Sequence, residues 1–316
     1  MRKTILIFTI LSISKFGFCT TWDEPWQDQI IKEADCFIYA KVNSSDKNDG
    51  VKIKVLKTLA GTIIKGDIKI KNYYLLHLCS TSAGHGPEFH FTESKEYYFF
   101  LKKNKEGEYC ISTPTSGFAK VNDKQVYATY RHSYHQVIIS PEIYEKTMIA
   151  IFNNYHNLAY DKKYIEDFIN KYLSKEPANT QTETRDLFFC QHVALECIYH
   201  LRLTGYYSKI IPFLHDTSNF HNQMSGARAL ISYNTKECKD ELLNVISDTS
   251  RTGFVQVMCV FSLSSFNPIE LKPELIKILE TASNEESGFG GDIMDPRVCT
   301  HVPRFKAALG RLIDKL

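Results

Sequence analysis

The C-terminal half of this 316-residue chain repeats itself, and that self-similarity constrains the fold more than any other feature. Residues 229–248 align with 262–281 at an offset of 33 and without a gap. Leu230, Asn234, Glu237, Lys239, Glu241 and Leu242 meet the identical Leu263, Asn267, Glu270, Lys272, Glu274 and Leu275. Tyr233 pairs with Phe266, Leu243 with Ile276 and Ile246 with Leu279. The preceding unit fits at an offset of 32, which puts Ile198, Leu201, Ile210, Ile211 and Leu214 on the same rows. Apolar residues recur at three and four throughout, the period of helices with one buried face. A helical hairpin cannot bury such a face alone, so the units must stack into a continuous core.

The helical period begins near Ser140-Pro141-Glu142, where Pro141 suits the first helical position after a Ser cap. It predicts helices at 141–155, 161–174, 184–203, 207–215, 222–233, 239–247, 254–265, 273–282 and 303–315, with a loop over 284–304. Before Ser140 the period is two. Cys36, Ile38, Ala40 and Val42 share one face, Val51, Ile53 and Val55 alternate with lysines, and Ile68 and Ile70 do the same. Tyr97 to Leu101 is continuously apolar, as in a strand buried on both faces. Turn residues such as Asn48-Asp49-Gly50 and Lys65-Gly66-Asp67 separate these runs, and a short helix is predicted over 25–33. The expected fold is therefore multidomain, with a small all-β barrel or sandwich over 20–140 and an all-α stack over 141–316.

Residues 1–19 read as a secretory signal peptide, with basic Arg2 and Lys3, an apolar run from Thr4 to Ile13, and small residues at Gly17 and Cys19. Cleavage after Cys19 leaves small residues at both recognition positions; cleavage before it would make Cys19 a free or lipid-modified N-terminus. The expected location is exported: periplasmic, cell-surface or secreted. No later segment reaches the roughly 20 apolar residues of a membrane span. Formal charge is +2 and evenly spread, so no basic face for nucleic acid is expected.

Two resemblances sharpen the fold. Segments such as GARALISYNTKECKDELLNVISD and IIPFLHD resemble HEAT-type repeats over residues 184–315. That resemblance implies an α-solenoid presenting a curved surface to another protein. The order ADCFIYAKV, VKIKVLKTLAGTIIKGDIKI, Cys79, ESKEYYFFL, Cys110 resembles the netrin-type, metalloproteinase-inhibitor-like module, a five-stranded OB barrel, over residues 22–120. This second resemblance implies a Cys79–Cys110 disulfide, with Cys36 and Cys19 as competing partners. The chain departs from that family at Ser80, where a Gly is usual, and in having Cys19 alone at its start. Inhibitory members chelate a protease's zinc through a mature N-terminal cysteine, a role open here to Cys19 alone.

Ligand-type side chains concentrate at His77, His85, Glu88 and His90. Imidazoles and a carboxylate suit zinc when three converge, although the spacing matches no familiar zinc pattern, and an exposed, solvated loop is the simpler expectation. His132 and His135 flank Ser133-Tyr134, without a spacing that makes a nucleophile and base. Gly288 to Gly291 lacks the Lys of a phosphate loop. Cys190 and Cys197 stand seven apart on one predicted helix, about 10 Å along its axis, too far for a bridge. Cys259 falls on the row of Gly226 and Ala194, and Cys238 on that of Leu271, as core residues do. The expectation is an exported protein-binding or scaffold protein without catalysis or cofactor, whose partner is another protein. OB barrels bind through one sheet face and adjoining loops, which would place Tyr73, Tyr74, His85 and His90 at the site. A metal-dependent hydrolase using His77, His85, Glu88 and His90, and a metalloprotease inhibitor acting through Cys19, are the alternatives.

Overall fold

Where apolar and charged residues alternate, the chain is extended, and where they recur at three and four it is helical. A computed structural model describes residues 21–46, 49–73, 77–80, 91–113, 115–133, 135–287 and 302–316. The first part runs β1 (Thr21–Asp23), α1 (Gln27–Glu33), β2 (Cys36–Asp46), β3 (Gly50–Gly61), β4 (Gly66–Tyr73) and β5 (His77–Ser80). It continues through β6 (Glu96–Lys103), β7 (Tyr109–Ile111), β8 (Phe118–Asn122), β9 (Gln125–Thr129) and β10 (Gln136–Ile139). The second part is α2 (Pro141–Tyr155), α3 (Lys162–Leu173), α4 (Arg185–Leu201), α5 (Tyr207–Leu214) and α6 (Phe220–Leu230). It ends with α7 (Lys236–Ser247), α8 (Gly253–Ser264), α9 (Lys272–Thr281) and α10 (Phe305–Lys315).

Strands β2, β3, β4, β7 and β6 pair in that order, and β6 closes back onto β2. The β4–β7 pair is parallel and the others antiparallel, so the ring is a closed five-stranded barrel that fits an OB-like fold. A ring this small needs strong local bending. Register shifts along β2–β3 supply it, leaving Leu56 and Leu59 of β3 with no residue opposite them. From β6 the sheet continues outward as an antiparallel meander, β8–β9–β10. β1 pairs separately with β5.

The doubly apolar run in β6 has a specific cause. Tyr97, Phe99 and Leu101 point into the barrel with Ile38, Val42, Val51, Ile53 and Ile111. Tyr98 and Phe100 point the other way, into a second core that Phe37 of β2 shares with Tyr144, Met148 and Phe152 of α2. Phe37 stacks on Phe100 at 4.6 Å, and Tyr98 meets Tyr144 edge-on at 4.9 Å. The outer wall of the barrel is thus the floor of the helical part, and this second core runs without a break from α1 to α10.

α2 opens at Pro141 with the Ser140 hydroxyl accepting from the Ile143 amide, the cap its sequence proposes. α4, α6, α8 and α10 pack side by side in one row, while α5 packs on α6, α7 on α8 and α9 on α10. Arg202, Asn234 and Asn267, positions related by the 32- and 33-residue offsets, all adopt left-handed backbone with φ of 53°, 45° and 47°. The identical asparagines therefore mark the same turn in successive units, since Asn tolerates this conformation. α7 starts three residues earlier than its apolar period suggests, because Thr235 caps it by accepting from the Cys238 amide. On the row of Ala194, Gly226 and Cys259, a Cβ at Gly226 would lie 2.7 Å from the Leu214 amide nitrogen, so α5 and α6 approach there more closely than alanine allows.

Candidate functional site

The side chains of Tyr73, Tyr74, His85 and His90 lie outside the described residues, as do those of His77, Cys79 and Glu88, and so do residues 1–20, with Cys19. Of this set, the backbone of Tyr73 ends β4, while His77 and Cys79 lie on β5, which pairs with β1. Cys110, the other half of the implied disulfide, is buried on β7 with its sulfur 3.7 Å from the Glu108 carbonyl oxygen. Among the described residues no group of three or more His, Cys, Asp or Glu side chains is arranged to hold a metal ion.

The structure instead assembles a polar cluster at the junction of barrel and helices. α4 is buried nearly all round, yet every fourth residue of one stripe is ionisable: His192, Glu196 and His200. Oε1 of Glu196 accepts from Arg131 Nε at 2.9 Å and Nη2 at 2.6 Å, and Oε2 accepts from Arg228 Nε at 2.8 Å. Arg131 comes from the stretch between β9 and β10, and Arg228 from α6, so one carboxylate ties three elements together. Ser225 accepts from Arg131 Nη2 and also lies 2.9 Å from His192 Nδ1.

Two histidine tautomers follow from their partners. His200 Nε2 lies 2.7 Å from the Tyr130 carbonyl, which can only accept, so Nε2 carries the hydrogen and Nδ1 accepts from the Tyr155 hydroxyl at 2.8 Å. His132 Nε2 likewise donates to the Glu24 carbonyl at 3.1 Å. The Glu24 side chain accepts from the hydroxyls of Thr113 and Thr115, both at 2.7 Å, and the Gln27 amide donates to the Arg131 carbonyl at 2.8 Å. These bonds strap residues 24–27 across the helix row. Trp26 lies under the Arg228 guanidinium, edge-on to His132, and packs on Met224, Phe254 and Met258.

Electrostatics follow from this packing. Burial alone would raise the Glu196 carboxyl, but the Arg228 and Arg131 guanidiniums override it and hold the group at about 2. Arg228 is raised in turn: desolvation is the largest single influence and lowers it, but Glu196, Tyr199 and Asp28 together outweigh it. Burial lowers His200 to about 4, and it holds His135 and His192 well below the ordinary imidazole range, with neighbouring positive charge adding to the effect. The network is a clamp: it holds charge at a dry interface and joins barrel to helices.

His132 and His135 stand out in the sequence, but as a linker pair. The usable signal was the i, i+4, i+8 stripe on α4, together with Arg228 occupying the row of Glu196 at the 32-residue offset. That face of α4 and α6, which a free helical stack would offer to a partner, is already covered by the strap and by residues 130–133 and His135.

At the β3–β4 connection, beside α2, Val55–Gly61 and Ile63–Gly66 line an open groove of about 520 Å³ that mixes polar and apolar side chains, with Ile63 75 % and Leu56 45 % exposed. The connection is held rigidly. The Thr58 hydroxyl donates to the Ile64 carbonyl at 2.7 Å and accepts from its amide at 3.1 Å, and the Thr62 amide donates to the Asp35 carbonyl at 2.9 Å. Gly61 takes φ of +75° beneath it, where a Cβ would lie 2.4 Å from that same carbonyl oxygen.

Compared with known proteins, the chain matches no protein-family model, no curated protein and no solved structure.

Proposed function

We propose that this is an exported protein-binding or scaffold protein in which a netrin-type, OB-like barrel is joined to HEAT-like helical repeats, and that it acts by holding another protein rather than by catalysis. The observation that supports this reading is the pair of exposed apolar side chains, Ile63 and Leu56, on a hydrogen-bonded groove at the β3–β4 connection. A lone exposed isoleucine is ordinary, but one fixed by paired hydrogen bonds at the rim of a groove is pre-organised for contact. The barrel segment carrying Tyr73, Tyr74, His85 and His90 is proposed as a separate contact region, since Tyr73 ends β4 and the groove lies at its start, Gly66.

The HEAT-like part of the proposal rests on the two-row helix packing and on the three left-handed residues at repeat spacing. Export is compatible with the cysteines. Cys36, Cys190, Cys197, Cys238 and Cys259 are buried thiols, all pushed up by burial, with Cys36 and Cys259 at about 12. Oxidation and exchange go through the thiolate, so such groups stay inert in an oxidising compartment.

The test is a pull-down from the protein's own exported proteome with the parent chain and with Ile63→Asp as baits. The substituted side chain is exposed, so folding should be unaffected, as a melting curve would verify. A partner held by the parent and weakened about tenfold or more by Ile63→Asp is the expected result. Equal retention by both baits, or no partner at all, would sink the assignment of this groove.

A further inference from the structure

Three imidazoles meet where the barrel joins the helix row. His135 stacks on His192 with ring centroids 4.1 Å apart, and His221 meets His135 edge-on at 5.3 Å. They come from three elements: the stretch between β9 and β10, α4 and α6. His135 Nδ1, His192 Nε2 and His221 Nδ1 are all buried without a hydrogen-bond partner. We propose that this stack is an acid-released latch: proton uptake by it parts residues 130–133 and His135 from the helix row and frees the Trp26 strap, uncovering the helix face beneath.

The surroundings explain why a proton cannot be accommodated in place. Facing the stack are Arg131 from the same stretch, Glu196 and His200 from α4, and Arg228 from α6, while His132 turns to Trp26 and the Glu24 carbonyl. Behind them in the N-terminal segment stand Glu24, bound by two threonines, and Asp28, whose charge reaches Arg228 and His200. Glu196 is the one buried carboxylate among the facing groups, and two guanidiniums already occupy both of its oxygens. A proton on buried His135 or His192 adds positive charge to a dry site whose facing groups hold more positive than negative charge, and half-buried His221 lies at its edge. Water has to enter for that charge to be solvated, and water enters only if the junction opens.

Sign and window follow by linkage. In the closed form burial and the Arg131 charge hold His221 at about 4, and the other two rings lie well below their ordinary value. In an open form each returns to about 6.5. The open form therefore binds more protons, and closure, complete above about 6.5, is lost as pH falls toward 4. His221 alone shifts the balance roughly 80-fold toward the open form at pH 4.5.

The coupling to Trp26 is geometric. Residues 131 and 132 hold the strap through Arg131 O to Gln27 N and His132 Nε2 to Glu24 O, so moving them releases Trp26 from its seat on Met224, Phe254 and Met258. The inference stands on this buried junction and not on the binding surface proposed above.

Trp26 reports the event directly. In a Trp22→Phe chain, leaving one indole, emission and iodide quenching are followed from pH 8 to 4 beside far-UV circular dichroism. We expect a red shift and increased quenching with a midpoint between about 6.5 and 4, before the secondary structure is lost. His221→Gln, at a half-buried position, and His192→Gln should each move that midpoint down by about half a pH unit or more. Should His192→Gln fail to fold, amide exchange of residues 130–133 and His135 in the parent, with protection factors lower at pH 5 than at pH 7.5, serves in its place. Trp26 changing only together with the circular dichroism, or an unmoved midpoint in the His221→Gln chain, would overturn the latch.

Discussion

Arg131 and Glu196, 65 residues apart, bind each other through two hydrogen bonds of 2.9 and 2.6 Å with neither side chain exposed to solvent. Their contact sits at the seam where sheet meets helix. Its energetics give the first expectation. Glu196→Gln strands two buried guanidiniums, whereas Arg131→Met leaves Glu196 paired with Arg228. We expect Glu196→Gln to cost about 3–5 kcal/mol and Arg131→Met distinctly less, read as urea midpoints at pH 7. The reverse order would show that the network is not organised around the carboxylate.

Acid should weaken the fold in two stages. His200 is held at about 4 against 6.5 for a free imidazole, so its contribution is full above about 6.5 and lost as pH falls toward 4. That single group is worth on the order of 3 kcal/mol across the window. Glu196 acts lower: held at about 2 against 4.5, it stabilises above 4.5 and fails as pH drops toward 2. Denaturant unfolding at pH 7.5, 6, 5 and 4 checks the first stage, and a flat profile from 7.5 to 5 contradicts it.

The repeat rows place Leu230 and Leu263 at equivalent, fully buried positions. Each Leu→Ala change should cost about 2–5 kcal/mol. Cys259→Ala should be far milder, because its row already holds Ala194 and Gly226. Melting curves of the three variants would settle the ranking.

Two helical glycines should behave oppositely. At Gly226 an added methyl collides with the Leu214 backbone, so Gly226→Ala should destabilise by about 1–3 kcal/mol despite the gain in helix propensity. At Gly310 in α10 a Cβ meets nothing within 4 Å, so Gly310→Ala should stabilise by up to about 1 kcal/mol. Equal responses would mean that α5 and α6 are not in close contact.

Likeness to the netrin-type module implies a Cys79–Cys110 bridge, worth about 3 kcal/mol on the chain-entropy model. Non-reducing peptide mapping of the protein produced through an oxidising secretory route should recover the linked peptides. Both residues alkylated as thiols would remove the most specific support for that likeness.

Much of the architecture was legible because it is periodic. A switch from period two to a helical period at Ser140 marks the change from strand to helix, and Pro141 and the Ser140 hydroxyl act as read. Apolar runs show burial directly: Tyr97–Leu101 faces a core on each side. Asn234 and Asn267 repeat because the same left-handed turn recurs.

What the tertiary structure decided is everything that pairs residues without a local rule. Alternation in β2, β3 and β4 says that those strands have an inside, but not that β4 runs parallel to β7 and closes a ring. His132 and His135 look like a linker pair until α4 and α6 are packed against them. The stripe through Glu196 and the repeat row shared by Glu196 and Arg228 are visible in the sequence, but Arg131 is an unremarkable charge there, since its pairing depends on distance in space and leaves no period along the chain. Periodicity encodes which face is buried. Only packing decides what it is buried against.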